Sequence, residues 1–115
     1  MKSDSIFSSL DSLKNEIEGD LRYDEVTRVI YSTDASAYKE VPLAVVWPRS
    51  PADIKKVLAF ASREKIGLTM RAAGTSLAGQ VVSSGIIVDV SKYMKDIIEL
   101  NEEEMWVRVQ PGVVL

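Results

Sequence analysis

The sequence has neither cysteine nor histidine among its 115 residues. Those absences exclude disulfides, a thiolate nucleophile, a Ser-His-Asp triad, and zinc or haem sites built from the usual ligands. Long apolar runs are missing too: the longest, Leu43 to Trp47, falls far short of the roughly 20 residues a membrane-spanning helix needs. Basic residues are outnumbered, 14 against 17 acidic for a net charge of −3, and the cations are scattered. No basic patch is offered to phosphates, which argues against a nucleic-acid partner. The opening Met1-Lys2-Ser3-Asp4-Ser5 has no apolar core of the kind a signal peptide carries, so the expected location is cytoplasmic. What is present, 46% apolar residues and a pI near 5.0, describes a globular domain. A chain of this length buries roughly two-thirds of its unfolded surface, enough for one core.

Ile6, Leu10, Leu13 and Ile17 recur at helical spacing and form one stripe, with Gly19 placed to end the helix. Val26, Val29 and Ile30 make a second short helical pattern behind Asp24-Glu25, whose charges suit a helix N-terminus. Residues 1–30 therefore read as an N-terminal helical segment. Ser32-Thr33-Asp34-Ala35-Ser36 is a turn of small polar residues, with Asp34 set to close an Asx-turn. Leu43-Ala44-Val45-Val46-Trp47, closed by Pro48, reads as a buried strand. Ser50-Pro51-Ala52-Asp53 supplies an N-cap hydroxyl, a proline at the first helical position and a carboxylate at the third, a variant of the capping box. Ile54, Val57, Leu58 and Ala61 mark that helix's buried face, and Gly67 its left-handed end. Leu68-Thr69-Met70 and Ile86-Ile87-Val88-Asp89-Val90 are further strands. Strand, helix, strand implies parallel pairing.

After a turn over residues 91–95, with a short helix expected at Lys92, Ile97-Ile98-Glu99-Leu100 precedes an alternating run. Met105, Val107 and Val109 fall on one face of it, and Trp106, Arg108 and Gln110 on the other. The pair predicts an antiparallel hairpin, with the acidic triplet of residues 102–104 as its solvated turn. The fold class is thus α/β (α+β): N-terminal helices, a small parallel βαβ unit, then an antiparallel hairpin. Pro111-Gly112-Val113-Val114-Leu115 ends on three apolar side chains. That ending reads as an interrupted domain whose exposed apolar end would favour self-association.

One stretch carries chemistry: Arg71-Ala72-Ala73-Gly74-Thr75-Ser76-Leu77-Ala78-Gly79-Gln80, a glycine- and small-residue loop at a strand end. Glycine allows positive φ and leaves out the Cβ that would block a ligand, so successive N–H groups can converge on an anion. Thr75 and Ser76 add hydroxyl donors and Arg71 adds charge. The interval from Gly74 to Gly79 matches a P-loop, but Gln80-Val81 stand where that motif requires Lys and Ser/Thr. The G-x-G-x-x-G dinucleotide fingerprint is also absent. By itself the loop is read equally well as a tight connection or as a phosphate cradle.

The ordered succession of Tyr31-Ser32-Thr33-Asp34-Ala35-Ser36, Val46-Trp47-Pro48, the loop, Ile87-Val88-Asp89-Val90-Ser91 and Val109-Gln110-Pro111-Gly112-Val113 resembles the first half of an FAD-linked oxidase domain. The type is that of vanillyl-alcohol oxidase and p-cresol methylhydroxylase. The loop and the Pro-Gly ending look most like the glycolate oxidase and D-lactate dehydrogenase branch, which includes fusions carrying an iron–sulfur portion. The resemblance implies an incomplete FAD-binding domain over residues 31–115. In it Arg71, Ala72, Ala73, Gly74, Thr75, Ser76, Leu77, Gly79 and Gln80 wrap the FAD pyrophosphate, and Pro111 and Gly112 run close to the flavin. Pro48 matches the adenine side. Ala72-Ala73 and Gln80 replace glycines that many relatives have. The implied parent is an FAD-dependent enzyme oxidising a 2-hydroxy acid such as lactate or glycolate, with its substrate bound by domains beyond Leu115. This segment would contribute no catalytic residue, no metal ligand and, lacking histidine, no histidyl-flavin link. A non-catalytic nucleotide- or phosphate-binding module and a structural interaction fragment are the alternatives that the residues alone leave open. Trp47 and Trp106 are expected to serve packing, and Asp89 to turn the chain.

Overall fold

The computed structural model describes the backbone over residues 2–114 and the side chains from residue 5. The opening tetrapeptide's side chains and Leu115, on which two of the expectations fall in part, lie outside the described residues. Helix α1, Lys2–Glu16, buries Leu10 and Leu13, and Ile17 just beyond it, as the stripe predicts. They pack into one cluster with Val57 and Phe60 of α3, Pro51–Glu64.

At Gly19 the chain passes so close to the next strand that a Cβ there would lie 2.0 Å from the Trp47 carbonyl oxygen. It then enters β1, Asp20–Arg22, a strand the sequence pattern does not signal. Three residues with a single buried side chain, Leu21, have no measurable period. The strand exists through its pairing, antiparallel to β2, Ala44–Trp47. Helix α2, Glu25–Ile30, begins at Asp24, whose carboxylate accepts the Thr27 N–H at 3.0 Å. Its apolar residues do not face the core: Val26, Val29 and Ile30 are exposed and Thr27 is the buried one. The polar cap, not an apolar stripe, fixes this short helix.

β2 is followed by α3 and then β3, Leu68–Arg71. β4, Ile86–Asp89, inserts between the two strands in the order β1-β2-β4-β3, parallel to both neighbours. All four β4 residues are buried, as expected for a central parallel strand. The N-terminus of α3 uses Ser50 as N-cap, its hydroxyl accepting the Asp53 N–H at 3.3 Å, with proline in the first turn. The Asp53 carboxylate does not return to Ser50. It accepts the N–H groups of Glu18 and Gly19 at 2.9 Å each and that of Arg49 at 3.0 Å, tying the end of α1 to the start of α3. Leu58 is exposed and Phe60 takes the expected place in the core. Lys65, not Gly67, adopts the left-handed C-cap at φ 57°. Gly67 has a different task, its carbonyl accepting the Ile86 N–H at 2.9 Å.

Residues 91–95 form turns without a helix at Lys92. β5, Ile97–Asn101, pairs antiparallel with β6, Trp106–Val109, in a separate two-stranded sheet. Met105 belongs to the turn, at φ 59°, and not to the strand face of Val107 and Val109. It fills the left-handed position a glycine usually takes. Both faces of the hairpin are open, with Ile97, Ile98, Leu100, Val107 and Val109 all exposed. Val114 is exposed as well. Among the described residues no helix is long and apolar enough to cross a membrane, and no acidic or histidine cluster has metal-binding geometry.

Candidate FAD site at the carboxyl end of the parallel strands

β2, β4 and β3 run parallel and end in Trp47, Asp89 and Arg71. In open α/β sheets the crevice beyond the strands' carboxyl ends is where ligands bind. Here that end carries the glycine loop after β3. Gly74 and Gly79 sit at φ +70° and +71°, a conformation that costs other residues about 1–2 kcal/mol each. The loop thus needs these two glycines where the sequence places them. Ser76 is its internal hub: its Oγ accepts the N–H groups of Ala78 at 3.3 Å and Gln80 at 3.2 Å and donates to Gln80 Oε1 at 3.1 Å. The Ser76 hydroxyl and the Ala78 and Gln80 amides therefore brace the loop instead of standing free for a ligand. The amides from residue 73 through 77 donate to no acceptor among the described residues. Leu77 projects outward, 82% exposed.

Arg71 does not swing into solvent. Its guanidinium lies 5.1 Å from the Tyr31 ring centroid, and its Nη1 donates to the Tyr31 carbonyl at 3.4 Å. The Nη2 occupies the space beneath Gly74, 2.5 Å from where a Cβ would stand. Among the described residues Arg71 makes no ion pair within 4.0 Å, so a fixed positive charge with no contact ion pair sits beneath amides 73–77. Asp34 lies within the field of this charge. Its Oδ1 accepts the Ser36 N–H at 2.8 Å, the expected Asx-turn, and also the Ser36 hydroxyl. Those bonds hold its pKa below the ordinary value, with lesser help from the Val81 amide and the Arg71 charge. Its Oδ2 is shut off from solvent without a hydrogen-bond partner among the described residues.

Tyr31 ties this end of the sheet together. Its hydroxyl donates to Asp89 Oδ2 at 2.6 Å and accepts the Trp47 Nε1–H at 3.0 Å. The Trp47 ring meets it edge-on at 5.7 Å. Burial, and then the bond to Asp89, push the Tyr31 pKa up to about 12, so the hydroxyl keeps its proton and donates a hydrogen bond at any ordinary pH. Asp89 Oδ1 accepts both the N–H and the hydroxyl of Ser91, at 2.8 and 2.6 Å. Asp89 is thus a buried carboxylate that accepts three hydrogen bonds, from Tyr31 and Ser91. Residues 31–40 fold back on themselves, with Glu40 N–H bonded to the Ser32 carbonyl at 2.9 Å and a bridge between Thr33 and Lys39. This small bracket lies along the loop. Ala35 N–H donates to the Gly74 carbonyl at 3.1 Å, and the Tyr38 ring covers the bare side of Gly79.

The structure therefore gathers Arg71, the loop and the bracket, and leaves Pro111 and Gly112 on a neighbouring turn. Gly112 is buried, its N–H bonded to the Met94 carbonyl at 2.8 Å, and a Cβ on it would stand 2.2 Å from the Val90 carbonyl oxygen. Close backbone approach explains that glycine. Pro111 is exposed, whereas Pro48 is buried under Gly19. Tyr31, Tyr38 and Asp89 were not legible as site residues, because only strand pairing brings positions so distant in sequence to one sheet end.

Residues 42–115 match the family described as the FAD binding domain. D-2-hydroxyglutarate dehydrogenase of Escherichia coli is 44% identical over 84% of this chain, and that of Haemophilus influenzae 39% identical over 95%. The glycolate oxidase subunit GlcD of Bacillus subtilis is 33% identical over 86%. The chain spans 10% and 11% of the two dehydrogenases and 22% of the oxidase subunit. Among solved structures, p-cresol methylhydroxylase with bound substrate superposes with a TM-score of 0.79, at 19% identity over 94% of this chain and 22% of its own. The 4-ethylphenol oxidase of Gulosibacter chungangensis gives 0.75, at 23% identity over 96% and 23%. These last two establish the fold. The positive-φ glycines, the unpaired amides 73–77 and the Arg71 charge beneath them fit the diphosphate of such a cofactor, and the family match and relatives establish that this chain belongs to the FAD-binding domains of the FAD-linked oxidases.

Proposed function

We propose that this chain is the pyrophosphate-cradling part of an FAD-dependent oxidoreductase that oxidises a 2-hydroxy acid, of the lactate, glycolate or 2-hydroxyglutarate kind. The observation that carries the cofactor half of this reading is the Arg71 charge held beneath amides 73–77 with no carboxylate in contact with it among the described residues. Such an arrangement is stable only beside water or an anion, and a diphosphate supplies the charge that is missing. The names of the relatives support the substrate class.

FAD, when bound, supplies the acceptor for the hydride removed from the hydroxyl-bearing carbon. The residues of this chain bind and orient. Gly74 and Gly79 let the loop curl without a Cβ in the way, Thr75 adds a hydroxyl donor, and Ser76 with Gln80 keeps the curl closed. Arg71 places its charge from below. Pro111 and Gly112, anchored on the turn after β4, form the run that passes near the flavin. The buried carboxylates, Asp53 and Asp89, are spent on backbone and hydroxyl donors, so proton abstraction from substrate falls to residues outside this segment.

Calorimetric titration of the chain with FAD, with ADP as control, tests the reading. Binding of FAD tighter than ADP supports it. Equal affinity for both identifies a general nucleotide-binding module instead, and binding of neither overturns the cradle.

A further inference from the structure

We infer that Tyr31 is a positioning residue: through the ring and carbonyl it presents to Arg71, it holds the guanidinium under Gly74 and so sets the shape and charge of the loop that receives the diphosphate. The inference rests on the reading of the loop as an FAD cradle and extends it to a segment that lies outside the loop.

Arginine side chains are long and carry about 2 kcal/mol of rotamer freedom. An arginine without an ion pair keeps one conformation only if its surroundings hold it there. Arg71 has two such restraints, the Tyr31 carbonyl at 3.4 Å and the Tyr31 ring at 5.1 Å, and both come from the same residue. The second restraint is electrostatic attraction between a cation and a ring face, which leaves the guanidinium charge intact for an anion. A carboxylate in the same place would cancel it. Tyr31 is in turn immobilised by the bond it gives to Asp89 and the one it takes from Trp47. These are the last residues of β4 and β2, so the rigid sheet end reaches the loop through this one side chain. The bracket that begins at Tyr31 contacts the loop again at Gly74, through Ala35, and at Gly79, through Tyr38. Each of the loop's two left-handed glycines therefore has a bracket residue against it.

The test is a double-mutant cycle on FAD affinity, with Tyr31→Phe, Tyr31→Leu and Arg71→Gln made singly and Tyr31→Leu also combined with Arg71→Gln. Thermal unfolding and circular dichroism of each variant report the fold. Tyr31→Phe keeps the ring and serves if the leucine variant does not fold. We expect Arg71→Gln to weaken FAD binding roughly tenfold or more, the loss of a charge-assisted contact. Tyr31→Leu should weaken it several-fold, and in the Arg71→Gln background Tyr31→Leu should have almost no further effect, because its action passes through the guanidinium. Tyr31→Phe should fall between Tyr31→Leu and wild type. Equal weakening by Tyr31→Leu in both backgrounds, or wild-type affinity in both Tyr31 variants, overturns the inference. A second readout needs no ligand: the Arg71 Nε–H resonance, shifted by the tyrosine ring in wild type, should move toward its free-arginine position in Tyr31→Leu and partway in Tyr31→Phe. An unchanged resonance overturns the positioning role. Failure of the wild-type chain to bind FAD overturns the cradle instead, and the resonance still decides whether Tyr31 holds Arg71.

Discussion

Gly74 and Arg71 share one volume: the Nη2 of the arginine stands 2.5 Å from the point where a β-carbon on the glycine would be. The glycine is thus needed for its φ of +70° and also for the space it leaves to a charged side chain from three positions earlier.

Gly74→Ala should accordingly be costly in two respects. The left-handed backbone costs a residue with a β-carbon about 1–2 kcal/mol, and the methyl displaces the guanidinium from below the loop. The expected outcome is a lower unfolding midpoint in urea together with weakened FAD binding. Gly67→Ala is the control. A Cβ at Gly67 meets nothing within 4 Å, so stability should change little and FAD binding should be retained.

Asp53 should prove to be the most sensitive polar residue of the core. It is 1% exposed and accepts three backbone N–H groups, so Asp53→Ala leaves three donors without partners, at about 1–3 kcal/mol for each that water cannot reach. Burial alone raises its pKa, but the amides of Arg49, Glu18 and Gly19 outweigh burial and the pKa is lowered. The sign follows: its contribution is fully present above the unfolded value, near 4, and is lost as pH falls through the folded value. Urea unfolding of wild type and Asp53→Asn across pH 2 to 7 should show the wild-type advantage shrinking at the acid end.

Asp24 offers an acid titration at the surface. Its bonds from the Thr27 backbone and hydroxyl, followed by that from Arg22, lower its pKa to about 2. Carboxyl-carbon NMR should give a midpoint near that value, with the Thr27 amide shift moving in step. The capping contribution to α2 is present above the unfolded carboxylate range and disappears as pH drops through the folded midpoint. In Asp24→Ala the α2 amides should exchange faster at pH 7.

Lys65→Gly should stabilise the protein. Lysine holds the left-handed cap of α3 at φ 57°, where glycine is preferred, and relief of that strain exceeds the added unfolded-state entropy by roughly 0.5–1 kcal/mol. A higher thermal midpoint with unchanged FAD affinity is the expected outcome.

The parallel unit was legible because its signals are strong and local: Ser50-Pro51 opens α3, and apolar runs of strand length flank it. The loop was legible through its glycines and its position after a strand. What escaped the sequence is everything that depends on pairing. β1 is too short to show a period, and the choice of Lys65 over Gly67 as cap follows from where β3 must start. Val26, Val29 and Ile30 spaced themselves like a buried face and lie outside, because the side chain of Asp24 determines the helix instead. The role of Tyr31 is visible only once Trp47, Arg71 and Asp89 arrive at the same sheet end, from three different strands.

The order of strands assigns the loop one more duty. β3 and β4 are adjacent and parallel, so the chain leaving Arg71 must travel back the full length of the sheet before Ile86 can begin. Such returns take a dozen residues or more and are usually helical. Here the return is made by residues 72–85 without a helix. The glycine loop is therefore also part of the tether that permits the parallel pair. Gly74 and Gly79 hold fixed places within this return, so the loop's own conformation and the path between the two strands are set by the same residues.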